Sequence, residues 1–213
     1  MIPLRDTGPA DFAALRALLV AAGYTAAGVL ERTGTTSLAD ARDRQDQRQD
    51  LPIADARDAL LRLFLDERAI ARAAAERVLA GDSIALFERI GLVERRDDGE
   101  AKLVPAVMLY PVEDVFLASD LTRDPAQPMA PYTQPDDAVY PAITRNTGDF
   151  LSLLPRTPCA RFLELCGGTG VAAIIAAPAT EIAVTADITE RSTQFAEWNA
   201  KLNRRTNVRA VRG

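Results

Sequence analysis

The hydrophobic pattern of the first forty residues predicts two helices. A helix over Pro9–Ala22 ends at Gly23, which suits a C-cap. Its apolar positions at helical spacing are Phe12, Leu15, Leu18 and Leu19. A shorter helix is predicted over Thr25–Arg32, followed by Gly34. Residues 38–51 then alternate charges with very few apolar side chains, so they form either a solvated helix face or a flexible connector.

A compact pattern follows from Asp55 to Leu109. Three helices are predicted, over Asp55–Asp66, Arg68–Leu79 and Asp82–Ile90, with a break at Gly81. Two apolar runs then follow, Leu92–Arg95 and Lys102–Leu109, around the sequence Asp97-Asp98-Gly99. Asp-Gly between apolar runs is a strong hairpin signal. Three helices followed by a hairpin are the order of a winged-helix module.

The charges of this module disfavour binding to duplex DNA. The third helix offers only Ser83, Glu88 and Arg89 on its polar face, and the hairpin tip is acidic. Proteins that bind in a groove of duplex DNA need cationic and amide side chains to contact phosphates and base edges. We therefore expect the module to be structural or to contact another macromolecule.

A proline-rich stretch marks the predicted domain boundary. Prolines recur through residues 125–141 with few apolar runs between them, which is typical of a semi-extended linker. We predict an N-terminal helical and winged-helix-like domain over residues 1–125, a linker over 126–145, and a second domain over 146–213.

Composition excludes several kinds of chemistry. The chain of 213 residues has no histidine, which removes the usual general base and zinc ligand. Cys159 and Cys166 are the only cysteines, so a disulfide framework or cysteine metal site is disfavoured, and we expect no metal. No signal-peptide pattern and no run of eighteen apolar residues occurs, so we expect a cytoplasmic protein without a membrane span.

The last fifty residues carry the pattern of a nucleotide-binding βαβ unit. An apolar strand, Phe162–Cys166, leads into a turn with three glycines, Gly167, Gly168 and Gly170. A helix is predicted over Val171–Ala177, and a second apolar strand, Ile182–Ala186, ends at Asp187. This order places an acid where it can accept both hydroxyls of a ribose.

Two ligand classes fit such a turn, and Glu164 separates them. The sequence from Gly168 to Ala173 also satisfies the fingerprint of dinucleotide-binding folds. A carboxylate inside the first strand is costly without a role, and a helix N-terminus that binds pyrophosphate gains nothing from it. S-adenosylmethionine (SAM) has no phosphate but has a cationic methionine tail, so Glu164 favours SAM.

Glu164-Leu-Cys-Gly-Gly-Thr-Gly170 resembles the first motif of class I SAM-dependent methyltransferases, and Asp187-Ile-Thr resembles their second motif. Ala196-Glu-Trp-Asn199 through Asn203 and Asn207 resembles the helix and next strand of the small-domain group that methylates planar nitrogens. That group includes release-factor glutamine methyltransferases and ribosomal RNA guanine methyltransferases. The implied fold class is α/β, with a helical and winged-helix-like module followed by the first half of a Rossmann-like SAM-methyltransferase domain.

The resemblance implies a set of cofactor-binding residues. The loop, with Gly168 and Gly170, would contact the methionine part of SAM, and Asp187 would hold the ribose. The full predicted set is Glu164, Cys166, Gly167, Gly168, Gly170, Asp187, Ile188 and Thr147.

Two of these residues, Thr147 and Cys166, and the nearby Trp198 need separate interpretation. The segment from Val139 to Phe150 precedes the first strand where relatives have a segment that closes over SAM, but Thr147 can also serve as an N-cap for a helix over Gly148–Leu154. Cys166 takes the place of the motif's usual first glycine, and we interpret it as a small turn residue, not a nucleophile. Trp198 is expected to pack its helix on the sheet.

The resemblance also implies a motif that this sequence does not contain. Family members carry Asn or Asp, two prolines and an aromatic residue after the fourth strand, whereas the only Asp-Pro here is Asp124-Pro125, in the linker. We therefore expect a fragment of a longer enzyme, with its catalytic residues unknown and its oligomeric state undetermined. The first hypothesis is N-methylation of a macromolecular substrate, RNA or protein. The alternatives are a non-catalytic winged-helix adaptor with a SAM-like pocket and an NAD-dependent oxidoreductase.

Overall fold

A computed structural model describes residues 1–97 and 99–213 and has mixed α/β architecture. The helices are α1 Pro9–Ala21, α2 Ala26–Thr33, α3 Leu38–Asp43, α4 Ala56–Leu60, α5 Arg72–Val78, α6 Ser83–Ile90, α7 Arg145–Ser152, α8 Val171–Ala176 and α9 Glu190–Leu202. The strands are β1 Ile70–Ala71, β2 Val93–Asp97, β3 Ala101–Pro105, β4 Met108–Val112, β5 Val115–Ser119, β6 Cys159–Leu165, β7 Thr180–Asp187 and β8 Val208–Arg212. Short 3₁₀ turns lie at Gln45–Arg48 and Ala177–Ala179, and a π-helical turn lies at Leu61–Leu65.

The two N-terminal helices form as the hydrophobic pattern predicts. α1 ends just before Gly23, which has a left-handed φ of 67°, and α2 begins at the side-chain cap of Thr25. Gly34 closes α2 with a φ of 63°, the conformation that favours glycine. By length and composition alone, Pro9–Thr33 is apolar enough to cross a membrane. The chain direction breaks at Gly23 within that stretch, and the side chains of α1 that face inward lie in the core.

Most of residues 38–51 is helical, as α3 and the 3₁₀ turn Gln45–Arg48, which agrees with the helix alternative and not with a flexible connector. Within α3 and the turn that follows, Ala41 and Gln45 are buried. The charged side chains find partners elsewhere: Arg48 pairs with buried Asp66, and Asp46 contacts Arg68 at 2.9 Å. A local charge pattern shows no such distant partner, which is why the sequence left both alternatives open.

The central helices agree with the pattern in number but differ in their boundaries. The predicted helix Asp55–Asp66 is α4 continued by the π-helical turn, with Asp55 as its N-cap. The predicted helix Arg68–Leu79 starts late, because Ile70 and Ala71 pair with β3. The three-stranded antiparallel sheet has the order β1-β3-β2. The hairpin of β2 and β3 is confirmed, while Asp98 at its tip lies outside the described residues.

A second hairpin was not predicted. The single strand expected over Lys102–Leu109 is two strands, because β3 ends at Pro105 and β4 starts at Met108. β4 pairs with β5 in a separate antiparallel sheet, and every residue of both strands is buried. The apolar run over Lys102–Leu109 therefore spans the end of one sheet, a two-residue turn and the start of the next sheet.

The C-terminal part is a parallel sheet with the order β6-β7-β8, as the βαβ pattern predicts. Helices α8 and α9 pack on one of its faces, where Phe162, Ala183 and Val208 lie. On the other face Leu163 and Leu165 of β6 are 60% and 70% exposed. Within the described residues β6 pairs only with β7.

The N-terminal and C-terminal parts share one hydrophobic core. Trp198 of α9 is buried against Phe12 of α1, with ring centroids 5.4 Å apart in an edge-to-face arrangement. Its indole Nε1 donates to the carbonyl of Arg5 at 3.2 Å. The expectation that Trp198 packs on the sheet is corrected, since its partners lie in α1 and in the segment that precedes it.

The proline-rich stretch is irregular but anchored at its far end. Asp120 and Val139 exchange backbone and side-chain hydrogen bonds, and the Ala142 amide donates to the Tyr110 hydroxyl at 2.8 Å. Val139, Ala142 and Ile143 are buried. These contacts bring the end of the stretch against the C-terminal sheet, where it forms one wall of the cleft described next.

Candidate functional site

A cleft of about 800 Å³ opens at the carboxyl ends of β6 and β7. This is within the range of roughly 300–1,000 Å³ that is typical of small-molecule sites. Its walls are the glycine turn after β6, the residues around Asp187, and the segment from Asp136 to Phe150. Seven of the eight predicted site residues line it: Thr147, Glu164, Cys166, Gly167, Gly168, Asp187 and Ile188.

The backbone of the glycine turn packs closely against β7. A Cβ on Gly167 would lie 1.8 Å from the Thr185 hydroxyl of β7, so only glycine fits there. Gly168 has a φ of 51° and its amide donates to the Asp187 carboxylate at 3.0 Å. Gly170 does not line the cleft: it has a φ of 74° and lies behind the turn, where a Cβ would meet Ala196 at 3.0 Å.

Cys166 adopts the left-handed region, with a φ of 55°. Its position is the one that glycine takes in the motif, and a side chain there costs of order 1 kcal/mol relative to glycine. Cys166 is exposed at the cleft edge. The turn therefore keeps its shape with a cysteine, at a local cost in backbone strain.

Glu164 is buried and caps helix α8. Its two carboxylate oxygens accept hydrogen bonds from the Ala172 and Ala173 amides, each at 3.0 Å. These are amides of the first helical turn, which have no partner within the helix. Burial raises the pKa of the Glu164 carboxyl above its usual value, and the two amides act in the opposite direction. The carboxylate thus already accepts the hydrogen bonds of the amides that a bound phosphate would need as donors.

Burial of the Glu164 carboxyl predicts a pH dependence. Because the pKa of Glu164 is higher in the folded protein than in the unfolded chain, folding binds a proton more tightly, and stability attributable to this group falls as pH rises above its unfolded value. We expect the free energy of unfolding of the wild type to fall relative to that of Glu164→Gln as the pH rises above about 4, the usual pKa of a glutamate carboxyl. Urea unfolding of both proteins at a series of pH values from about 4 upward measures this difference. A wild type that gains stability relative to Glu164→Gln as the pH rises would contradict a raised pKa.

Asp187 lies at the end of β7 and is half-buried. One carboxylate oxygen accepts the Gly168 amide, and the other accepts the Thr189 amide at 3.2 Å. Each ionised oxygen has a further lone pair for a ligand. The side chain is thus oriented by the backbone on both sides while it faces the cleft.

Helix α7 begins earlier than the sequence suggested. Thr144 is the N-cap, because its hydroxyl accepts the Thr147 amide at 3.2 Å, so Thr147 does not cap a helix over Gly148–Leu154. Thr147 lies in the first turn, with its hydroxyl 2.9 Å from that of Thr144, and lines the cleft. The prediction chose the wrong threonine because Thr144 and Thr147, three residues apart, are both of the residue type that is preferred at an N-cap.

Sequence reasoning missed several residues of the cleft. Asp136 and Asp137 line it together with Glu164 and Asp187, and among residues 1–97 and 99–213 no lysine or arginine lines it. Exposed apolar side chains also gather at its rim, namely Tyr140, Phe150, Leu165 and Ile188. Two adjacent acids in a linker carry no local signal of a site. The cleft combines negative charge with exposed apolar surface.

No protein-family model and no curated protein matches the chain. Solved structures similar to parts of it include Trm5b from Pyrococcus abyssi, with 15% identity and a TM-score of 0.36 over 62% of this chain and 40% of that one. A SAM-dependent methyltransferase from Agrobacterium tumefaciens has 16% identity and a TM-score of 0.31 over 64% and 44%. A dimethyladenosine transferase from Plasmodium falciparum has 18% identity and a TM-score of 0.29 over 33% and 26%.

The chain spans less than half the length of each of these structures. TM-scores of this size do not establish a common overall fold. The interpretation of the cleft therefore depends on its own geometry.

Proposed function

We propose that the cleft binds SAM and that the protein is a SAM-dependent methyltransferase. The observation that carries this proposal is the Glu164 carboxylate on the N-terminal amides of α8. A dinucleotide would need those amides for its pyrophosphate. With the donors taken, and four carboxylates around the cleft, a phosphate ligand is repelled and a cationic ligand is favoured.

The remaining features support the same ligand. Asp187 offers acceptors for the ribose hydroxyls, and its orientation is set by the Gly168 and Thr189 amides. Exposed Tyr140 and Ile188 provide apolar surface for an adenine ring. When bound, SAM supplies a methyl group on a cationic sulfur, and transfer to a nucleophile needs mainly positioning and a suitable electrostatic site. The acidic cleft therefore serves to bind and orient, and the absence of histidine is no obstacle.

For the acceptor we propose a nitrogen of a macromolecule, RNA or protein, presented by the N-terminal module. The order of α4, β1, α5, α6, β2 and β3 supports a winged-helix-like module. Duplex DNA is a poor partner for it: Arg89 of α6 is held by Asp11 of α1, and Glu88 is held by Arg72. Neither side chain is free for a groove. No catalytic residue is assigned.

Calorimetric titration with S-adenosylhomocysteine, the demethylated product, tests the cofactor. We expect Asp187→Ala to weaken binding by about 100-fold, because two charge-assisted hydrogen bonds of roughly 1.5 kcal/mol each are lost. The matched control is Glu190→Ala, which removes the same charge from an exposed site next to the cleft. That variant should bind within about twofold of the wild type.

Two results would overturn the proposal: equal affinity in Asp187→Ala and the wild type, or binding of NAD with no binding of the SAM product. Transfer of labelled methyl groups from SAM into RNA or protein fractions then identifies the acceptor class. Binding without any transfer would favour the adaptor alternative over the enzyme.

A further inference from the structure

One face of α9 lies along the edge of β5 and bonds to its backbone through two asparagines. Asn203 accepts from the Phe116 amide at 2.9 Å and donates to the Phe116 carbonyl at 2.6 Å. One helical turn away, Asn199 accepts from the Ala118 amide at 2.7 Å and donates to the Ala118 carbonyl at 3.0 Å. All four bonds join the C-terminal part of the chain to β5, the last strand of the N-terminal part.

The spacing of helix and strand explains why this arrangement repeats. Four residues of helix rise about 6 Å, and two residues of strand advance about 6.7 Å. A carboxamide carries one acceptor and one donor group, as a peptide unit does. Asn199 and Asn203 therefore complete the free edge of β5 much as a neighbouring strand would. Both side chains are buried, so each lost bond would leave backbone groups unpaired.

A further contact joins α9 to the chain just after β5. Arg191, eight residues before Asn199 on the same helix, pairs with Asp120, two residues after Ala118. The Asp120 carboxylate also accepts the Val139 amide at 2.8 Å, and Val139 lines the cleft. The residue that follows β5 thus bonds both to α9 and to the wall of the cleft.

Asn199 and Asn203 differ in their remaining contacts, and the Asn203 Oδ1 also accepts a hydrogen bond from Arg16 of α1 at 3.0 Å. The Asn199 Nδ2 also donates at 3.0 Å to the carbonyl of Thr169, a buried residue of the glycine turn. The corresponding second bond of Asn203 stays within the helix, to the Asn199 carbonyl at 2.8 Å. Only Asn199 therefore bonds at once to the N-terminal module and to the glycine turn.

We propose that Asn199 is a positioning residue, which couples the docking of the N-terminal module on α9 to the conformation of the glycine turn. Cofactor affinity then depends on a strand outside the cofactor sheet. This inference rests on the proposed function for its ligand, while the contact itself is a property of the protein without ligand.

The test compares Asn199→Ala with Asn203→Ala. Each variant removes one pair of bonds to β5, but only Asn199→Ala releases Thr169, and only Asn203→Ala releases Arg16. Asn203→Ala therefore reports the loss of contacts to the N-terminal part without a change at the glycine turn. Loss of one buried hydrogen bond corresponds to about a tenfold change in an equilibrium. We expect amide exchange at Gly168 and Gly170 to accelerate about tenfold in Asn199→Ala and to change less than twofold in Asn203→Ala.

The same pair is then titrated with S-adenosylhomocysteine. The dissociation constant should rise about tenfold in Asn199→Ala and stay within twofold in Asn203→Ala. A third measurement uses the wild type and so does not depend on whether a variant folds. Binding of S-adenosylhomocysteine should slow exchange of the Ala118 amide more than that of the Phe116 amide, because coupling between sites is reciprocal.

Each result decides between the two proposals. Equal effects of both variants on the turn, or none from Asn199→Ala, would overturn the positioning role. If the turn amides respond as expected but the wild type binds no S-adenosylhomocysteine, the positioning role stands and the proposed cofactor is wrong.

Discussion

Replacing Gly167 by alanine is expected to lower the free energy of unfolding by about 3 kcal/mol and to abolish measurable binding of S-adenosylhomocysteine. The added Cβ would lie 1.8 Å from the Thr185 hydroxyl and 3.4 Å from the Glu164 carboxyl carbon. Neither neighbour is at the surface, since both are buried. The turn must therefore move away from β7, and the Gly168 amide leaves Asp187. Denaturant unfolding and calorimetry measure the two effects.

Two variants control for this effect. Gly148→Ala adds the same methyl group where nothing lies within 4 Å, inside α7, and should be neutral or stabilising by about 0.5–1 kcal/mol. Gly167→Ala combined with Thr185→Ala removes the clashing hydroxyl and should recover part of the lost stability, as expected of residues in contact. Additive effects in the double variant would show that the clash is not the cause.

The second large effect is expected at Asp120, whose replacement by alanine should cost about 3–5 kcal/mol of stability. Its carboxylate pairs with Arg191 through two hydrogen bonds, one of them 2.7 Å long, and both side chains are largely buried. Removal of Asp120 leaves an arginine buried without its counter-charge. It also removes the acceptor of the Val139 amide, so the wall of the cleft should loosen. Thermal and urea unfolding measure the loss.

Asp114→Ala is the matched control, because Asp114 also pairs with an arginine, Arg205, but is 72% exposed. An exposed pair contributes about 1 kcal/mol or less. The double variant Asp120→Ala with Arg191→Met should be more stable than Asp120→Ala alone, since no unpaired charge remains. If Asp120→Ala and Asp114→Ala cost the same, the buried pair does not hold the two parts together.

The geometry of the glycine turn could be predicted from the sequence because its signals are local. Gly167, Gly168 and Asp187 lie within the same cleft, as the order of strand, turn, helix, strand and acid indicated. The pairing of β6 with β7 is parallel, which the two apolar runs also predicted. These features follow from backbone rules that act over a few residues.

The proposal of SAM as the ligand depends on a contact that the sequence only suggested. Glu164 was predicted to favour a cationic ligand, and the structure gives a reason: its carboxylate occupies the first amides of α8. The residues that add further negative charge, Asp136 and Asp137, lie in an irregular stretch with no periodicity. Their approach to the cleft depends on the anchoring of Val139 by Asp120.

Sequence by itself therefore determined the order of the main helices, the hairpin of β2 and β3, the parallel strands and the glycine turn with its acid. Each of these features depends on neighbours within one or two elements. Tertiary structure alone decided that Trp198 packs on α1, that β4 separates from β3, and that Asn199 joins β5 to the glycine turn. The partners of Asn199 lie 81 and 30 residues away. An asparagine on a helix has the same local pattern whether it faces solvent or a strand edge, and only the folded chain brings that edge within hydrogen-bonding distance.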